Sequence, residues 1–171
     1  MLKKIILASK SKVRKEILES NGINCTVEPA NIDEDMVKES LTNEGSSPEI
    51  ISKNLAELKS NKISQKKNED LVLGADSVID LEGTIISKPS TREEALKILQ
   101  KLNGKKHYLI SSVCISKNGS MIWNYTEKAG LTMKQMTENE LSNYLKKIKD
   151  EDLYAYNVYQ IEGEGRNLFS K

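Results

Sequence analysis

The stretch LVLGADSVI, residues 71–79, is the most strand-like run in the chain. Its Leu, Val and Ile residues favour an extended conformation, and Gly74-Ala75-Asp76 interrupts the apolar pattern. Glu82-Gly83 is expected to turn the chain into a short partner strand, TIIS. A carboxylate in an apolar strand is costly to bury unless it is paired or holds a metal. We therefore expect Asp76 either to cap a bend or pair with a lysine, or to act as a magnesium ligand or general base.

A helix is predicted before this strand. Ser47-Pro48-Glu49 is typical of a helix start, because Ser can cap, Pro fits the first position and an acid suits the positive end of the dipole. The buried face is expected to consist of Ile51, Leu55 and Leu58. Lys59 follows on the same helix, where most lysines are solvated.

Further helices and strands alternate after residue 90. Capping boxes at Thr91-x-x-Glu94 and Thr137-x-x-Glu140 predict two helix starts. Between them, Asn118-Gly119 predicts a hairpin turn, and residues 127–134 are expected to add another strand. Residues 29–40 are interpreted as an acidic, turn-like connection. This interleaved order predicts an α/β or α+β domain.

The start of the chain predicts an anion site. Residues 3–8 form a candidate strand that ends in a Ser-rich turn and leads into a helix at Lys12. The unpaired N–H groups and the dipole of such a helix attract oxyanions. Ser9 and Ser11 add hydroxyl groups, and the guanidinium of Arg14 could reach a phosphate. The alternative is that Ser9 or Ser11 only caps the helix while the cations stay solvated.

Other polar residues are weaker candidates for a functional site. Glu34 is the best second carboxylate, although an acidic loop is commonly plain surface. Pro89 restricts the turn after Lys88, which favours a phosphate-facing lysine over a mobile one. His107 has no second His or paired Cys at ligand spacing, which argues against zinc. A few cations with one or two carboxylates are typical of metal-assisted phosphate chemistry.

Composition limits the alternatives. The 171 residues suit one compact domain, and 26 basic against 25 acidic residues give no general affinity for nucleic acid. No apolar run reaches the roughly 20 residues of a membrane helix, and we expect no targeting segment. Cys25 and Cys114 lie in apolar segments, as expected of reduced thiols in a cytoplasmic protein.

Seven collinear motifs resemble those of the Maf family of nucleoside triphosphate pyrophosphatases. LASKSKVRKEIL resembles the family's LASxSPRRxxLL opening, NIDED its VDE loop, and NLAELKS its LAxxKA helix. LGADSVI resembles the GADTVV strand and SKP the GKP turn. EEALKILQKLNGKKHYLISSV is similar to the segment EAxxmLxxLSGxxHxVxT, and YQIEGEGRNLF to the closing xxxEGxGxxLF of some members.

The resemblance implies an α/β fold related to inosine triphosphatases, with an elongated mixed sheet flanked by helices and two lobes around a cleft. It implies hydrolysis of a nucleoside triphosphate between the α and β phosphates, with Mg²⁺ or Mn²⁺ as cofactor. The substrate-binding residues would be Ser9, Ser11, Arg14, Lys59, Lys88 and Glu162. Asp76 and Glu34 would be the catalytic and metal-binding residues.

The ending EGEGRNLF, residues 162–169, resembles that of 7-methyl-GTP enzymes more than that of dTTP/UTP enzymes. Lys12 and Val13 replace a Pro and an Arg of the family pattern. This removes one arginine that could bind a phosphate through two hydrogen bonds. We expect residues 1–171 to form a single Maf-like domain that lacks the family's usual C-terminal strand and helix, a gap that a homodimer could cover. The alternative function is a catalytically inactive nucleotide-binding regulator linked to septum formation.

Overall fold

The structure, a computed structural model, describes residues 4–170. The strands are β1 (Ile5–Leu7), β2 (Cys25–Val27), β3 (Leu71–Leu81), β4 (Thr84–Ile86), β5 (Lys106–Lys117) and β6 (Ser120–Thr132). The helices are α1 (Lys12–Ser20), α2 (Glu34–Asn43), α3 (Pro48–Ser64), α4 (Arg92–Leu102), α5 (Glu138–Lys146) and α6 (Asp150–Tyr156), followed by a 3₁₀ helix (Glu164–Leu168). Within residues 4–170, none of these helices is long and apolar enough to cross a membrane.

The strands of this described part form a six-stranded mixed sheet in the order β2-β1-β3-β5-β6, with β4 paired to β3. β1 runs parallel to both neighbours, and Leu7 is opposite Leu73 in β3. β4 is antiparallel to β3, with Ile79 opposite Ile86. The predicted class, a mixed sheet flanked by helices, is confirmed. The elongated shape and the cleft between lobes stay predictions.

The chain divides into two compact units. The first comprises Met1–Ser77 and Ile110–Glu127, and the second comprises Val78–Leu109 and Lys128–Lys171. Buried apolar residues of the first unit include Ile6, Ala8, Ile63 and Val72. The apolar core of the second unit includes residues of β3, α4, α5 and α6. The interpretation as one domain without the family's C-terminal strand and helix stays a prediction.

Several local predictions are confirmed. Ser47 caps α3 and Thr91 caps α4, and Thr137 with Glu140 forms a complete capping box at α5. The predicted hairpin turn joins β5 to β6, and both of its residues, Asn118 and Gly119, have positive φ. These features depend on residues close in sequence, so their signals are local.

Other predictions were wrong. The acidic connection over residues 29–40 contains α2, whose N-cap Asp33 accepts a hydrogen bond from the backbone of Met36. β3 continues through Gly74-Ala75-Asp76 without interruption. The strand expected over residues 127–134 is the second half of β6, which is continuous from Ser120.

The buried face of α3 also differs from the prediction. Leu58 is 42% exposed, because it lies off the stripe that faces the sheet. That stripe repeats every four residues and includes Ile51, Ser52, Leu55, Ala56, Lys59, Ser60, Ile63 and Ser64. Half of these residues are polar, so the buried and the exposed faces of α3 differ little in hydrophobicity. One of the polar residues is Lys59, although most lysines on an amphipathic helix are solvated.

Candidate functional site

The turn after β1 lies beside the middle of β3. The two strands are parallel, Leu7 is opposite Leu73, and the amide of Ala8 donates to the carbonyl of Leu73. Continuing the same register brings the next residues of the turn alongside Ala75 and Asp76. Two sequence-predicted sites, the Ser-rich turn and the aspartate, are therefore neighbours in the first unit.

The Ser-rich turn is organised by its own side chains. Ser11 caps α1, and its hydroxyl oxygen accepts a hydrogen bond of 3.2 Å from the amide of Arg14. The hydroxyl oxygen of Ser9 accepts from the amide of Ser11 at 3.2 Å and from Nη1 of Arg14 at 3.3 Å. Ser11 therefore caps the helix, as one of the two sequence interpretations predicted, while the buried Ser9 fixes the position of Arg14.

Arg14 links this turn to β3. Its Nη1 donates a hydrogen bond of 2.9 Å to the carbonyl of Ala75, which immediately precedes Asp76. The alternative of fully solvated cations does not hold for this residue. A guanidinium that is held at the start of a helix, beside unpaired N–H groups, is suited to bind a phosphate oxygen.

Asp76 is buried, with 5% of its surface exposed. Its Oδ1 accepts a hydrogen bond of 3.1 Å from Nζ of Lys59, whereas Oδ2 is buried and has no hydrogen-bond partner within residues 4–170. Burial raises the pKa of Asp76 above its usual range, and the positive charges of Lys59, Lys38 and Arg14 oppose that rise. An unpaired carboxylate oxygen at a buried position is expected to have a ligand.

Lys59 is 8% exposed and lies between two carboxylates. In addition to Asp76, its Nζ pairs with Oε1 of Glu34 and donates at 3.2 Å to the carbonyl of Ala75. Glu34 is the first residue of α2 and is half-buried, not a solvated loop residue as its sequence context suggested. The structure therefore brings together Ser9, Ser11, Arg14, Glu34, Lys59 and Asp76, all from the first unit.

Two residues that support this arrangement were missed or misread. A Cβ on Gly74 would collide with the carbonyl oxygen of Ala56 and lie 2.8 Å from the amide nitrogen of Ser60. The glycine therefore allows α3 to pack closely against β3, a role that its interruption of the apolar pattern did not indicate. Ser52, also on α3, donates a hydrogen bond of 3.1 Å to the carbonyl of Asp76. A serine inside a helix has no sequence signal for such a role.

Lys88 and Glu162 belong to the second unit. Lys88 is exposed and follows β4, next to the buried Pro89. Glu162 is exposed in the turn between α6 and the 3₁₀ helix. Their predicted roles in substrate binding stay predictions.

The donor set of the first unit fits a divalent cation that also binds the substrate. Within residues 4–170 there is no cluster of three or more His, Cys, Asp or Glu residues that could hold a metal ion. Mg²⁺, however, is commonly bound by one or two carboxylates together with substrate phosphates and water. Asp76 and Glu34 supply two carboxylates, and Oδ2 of Asp76 has no other partner in that range.

Comparison with known proteins places the chain in a family. The family model described as Maf-like protein matches residues 4–171. A relative from Pelagibacter ubique, named nucleoside triphosphate pyrophosphatase, is 75% identical over 171 residues, which cover 100% of this chain and 88% of the relative. A relative from Brucella abortus, named 7-methyl-GTP pyrophosphatase, is 35% identical over 171 residues, which cover 100% of this chain and 86% of that protein.

Among solved structures, the Ham1 protein of Staphylococcus aureus overlaps 77% of this chain and 72% of its own, with a TM-score of 0.49 and 15% identity. We draw no conclusion from a likeness of that size. The family match over nearly the whole chain and the identity to curated relatives are sufficient by themselves. The chain belongs to the Maf-like protein family.

Proposed function

We propose that this protein is a nucleoside triphosphate pyrophosphatase, a hydrolase that cleaves the bond between the α and β phosphates. One observation carries the proposal: buried Lys59 lies between the carboxylates of Asp76 and Glu34, beside an arginine-bearing helix N-terminus. Relatives of this chain are named for that activity. A site that only bound nucleotides would gain little from two carboxylates, because carboxylates repel phosphates.

The first step is binding of the triphosphate. The amides at the start of α1, the hydroxyls of Ser9 and Ser11 and the guanidinium of Arg14 would donate hydrogen bonds to phosphate oxygens. Lys59 and Lys88 would neutralise further negative charge, including the charge that develops on the departing pyrophosphate. In this proposal the chain contributes mainly positioning and charge stabilisation, which dominate phosphoryl-group chemistry.

Asp76 and Glu34 would hold Mg²⁺ or Mn²⁺. When bound, the cation would offset phosphate charge and increase the acidity of a nearby water. Oδ2 of Asp76 is suited to orient the attacking water by accepting a hydrogen bond from it. The water oxygen bonds to the α phosphorus, the bond to the bridging oxygen breaks, and pyrophosphate leaves with the electron pair. The water protons pass to the carboxylate or to solvent.

For the base, we propose 7-methyl-GTP ahead of dTTP and UTP, which fits removal of modified nucleotides as house-cleaning. A 35% identical relative is named 7-methyl-GTP pyrophosphatase. The 7-methylguanine base is positively charged, whereas thymine and uracil are neutral. An exposed carboxylate, for which Glu162 is our candidate, therefore favours the methylated purine.

The test is product analysis on a nucleotide panel: 7-methyl-GTP, GTP, dTTP, UTP and CTP, each with Mg²⁺, with Mn²⁺ and with a chelator. We expect equal amounts of nucleoside monophosphate and pyrophosphate, and none with the chelator. Release of diphosphate and orthophosphate would contradict the cleavage position. Tight nucleotide binding with no products would support the regulator alternative instead.

A pair of variants tests the base preference. Glu162→Gln should reduce kcat/KM for 7-methyl-GTP more than for dTTP, because it removes the negative charge and keeps the shape. Glu164→Gln is the matched control, since Glu164 is also exposed and lies two residues away. Equal effects of both variants on both nucleotides would remove Glu162 from base recognition.

A cytoplasmic location and a homodimer are further expectations from the sequence.

A further inference from the structure

The ammonium of Lys59 has three oxygen atoms around it in the structure. Nζ donates hydrogen bonds to Oδ1 of Asp76 at 3.1 Å and to the carbonyl of Ala75 at 3.2 Å, and it forms an ion pair with Oε1 of Glu34. It therefore occupies the position between the same two carboxylates to which we assign the divalent cation. Only one cation can be central to both carboxylates at a time.

We propose that Lys59 is a built-in counter-ion, which a divalent cation must displace from Asp76 and Glu34, and which then pairs with the phosphates of the substrate. The role of the phosphates rests on the proposed function. Mg²⁺ needs oxygens at about 2.0–2.1 Å. Carboxylate oxygens that share an ammonium at hydrogen-bond distance cannot both approach a metal ion so closely while the ammonium stays between them.

Displacement of Lys59 changes the balance of charge in the site, and this affects how tightly the metal ion binds. Without the metal ion, the positive charge of Lys59 is paired with the carboxylates of Asp76 and Glu34. A divalent cation neutralises the two carboxylates by itself and leaves the buried ammonium of Lys59 without these two partners. Because unpaired buried charge is costly, the metal ion alone should bind weakly. A polyanionic triphosphate restores the balance, so metal and nucleotide should favour each other's binding.

The direct test is titration of the nucleotide-free protein with Mn²⁺, followed by the electron paramagnetic resonance signal of the free ion. The measurement is made at pH 8.5 to keep the carboxylates ionised. Lys59→Met should increase the affinity for Mn²⁺ by about tenfold, within the range usual for coupled sites. The matched control is Lys66→Met, which removes the same charge from an exposed position just after α3 and should leave the affinity unchanged.

An unchanged or lower Mn²⁺ affinity in folded Lys59→Met protein would overturn the inference, because Lys59 would then not compete with the metal ion. A second measurement uses the wild-type protein and does not depend on the variant folding. An amine-reactive reagent is applied with and without Mn²⁺, and labelling is read by mass spectrometry. Displacement predicts faster labelling of Lys59 with Mn²⁺ and no change at Lys66. No acceleration at Lys59 would also overturn the inference.

Neither measurement uses turnover, so the two proposals can fail separately. If the protein binds Mn²⁺ more tightly without Lys59 but releases no pyrophosphate from any nucleotide, the counter-ion role stands and the proposed function fails. If it releases pyrophosphate while Lys59→Met leaves Mn²⁺ affinity unchanged, the function stands and the counter-ion role fails.

Discussion

The two units differ in how their buried ionisable side chains are paired. In the second unit, the hydroxyl of Tyr144 donates at 2.7 Å to the carbonyl of Val158, and Nε2 of His107 lies 2.9 Å from the hydroxyl of Tyr159. Burial raises the pKa of both tyrosines and lowers the pKa of the histidine. These groups therefore stay neutral near pH 7.

In the first unit, buried side chains of opposite charge lie next to one another, and buried serines such as Ser52 and Ser60 lie near them. Asp76, Lys59 and Glu34 form a chain of ion pairs, and one oxygen of Asp76 has no partner among residues 4–170. Buried ion pairs contribute little net stability, because desolvation offsets their attraction. The second unit also buries an aspartate, Asp80, but its Oδ1 accepts a hydrogen bond from the backbone amide of Gly83. The contrast indicates that Tyr144 contributes to stability, while the paired charges of Asp76, Lys59 and Glu34 are retained for chemistry.

Gly74→Ala should have the largest effect on stability. The added methyl group would collide with the backbone of α3 at Ala56 and Ser60, so the helix must move away from β3. We expect a loss of about 3 kcal/mol in unfolding free energy, with lower turnover because Lys59 and Asp76 separate. Chemical denaturation and pyrophosphate release measure the two effects.

The matched control is Gly130→Ala in the second unit. There the methyl group lies 3.0 Å from the end of the flexible Lys106 side chain and 3.5 Å, an ordinary van der Waals distance, from the ring of Tyr108. Its effect on unfolding free energy should stay within about 0.5 kcal/mol, as is usual for surface changes. Equal destabilisation by both alanines would show that close approach of α3 to β3 is not what Gly74 provides.

Tyr144→Phe should reduce stability without reducing turnover. The substitution removes one hydroxyl and leaves the buried carbonyl of Val158 without its partner. We expect a loss of about 1–3 kcal/mol in unfolding free energy and an unchanged kcat/KM below the unfolding temperature. A fall in kcat/KM of the folded variant would place this tyrosine in the chemistry and break the contrast between the units.

His107 should make the protein less stable in acid. Its pKa is lower in the folded protein than the usual 6.5, because burial penalises the imidazolium. The unfolded chain therefore binds a proton that the folded chain does not, and the unfolding free energy falls as the pH decreases below 6.5. His107→Gln should remove part of the difference in unfolding free energy between pH 7 and pH 5. An identical difference in both proteins would contradict the buried neutral histidine.

The smallest expected effect is on the pH dependence of kcat/KM. Asp76 has a raised pKa, so its ionised form is lost at a higher pH than for an ordinary Asp, and the acid limb should lie above pH 3.8. The positive charge of Lys38 lowers this pKa. Lys38→Met should therefore move the acid limb to higher pH, whereas Lys66→Met should not. A shift to lower pH would contradict the assignment of the limb to Asp76.

Sequence patterns predicted the elements that depend on near neighbours. The N-cap of α1 and the Asn118-Gly119 turn each rest on a few consecutive residues, and those signals survive in the fold. α2 was missed because its charged first turn resembled a loop, although Asp33 had the signature of an N-cap.

The candidate site was predicted only in part, because its geometry depends on distant segments. The sequence named Asp76, Glu34 and Lys59 but placed Glu34 in a loop and Lys59 in solvent. Burial of Lys59 follows from the acceptors it meets in α2 and β3, which are brought together by the sheet register and by Gly74. The sequence pattern along α3 does not show which residues of α2 and β3 Lys59 contacts.

The most direct test of the account compares two buried aspartates of the same strand. Asp76 has an oxygen without a partner in the described range, whereas Oδ1 of Asp80 accepts a hydrogen bond of 2.8 Å from the amide of Gly83. Pyrophosphate release from 7-methyl-GTP is measured for Asp76→Asn and Asp80→Asn, with thermal unfolding to verify that both are folded. The account predicts that Asp76→Asn loses turnover by roughly 10³-fold while Asp80→Asn retains most of it. Turnover near the wild-type level in Asp76→Asn, or equal losses in both variants, would contradict it.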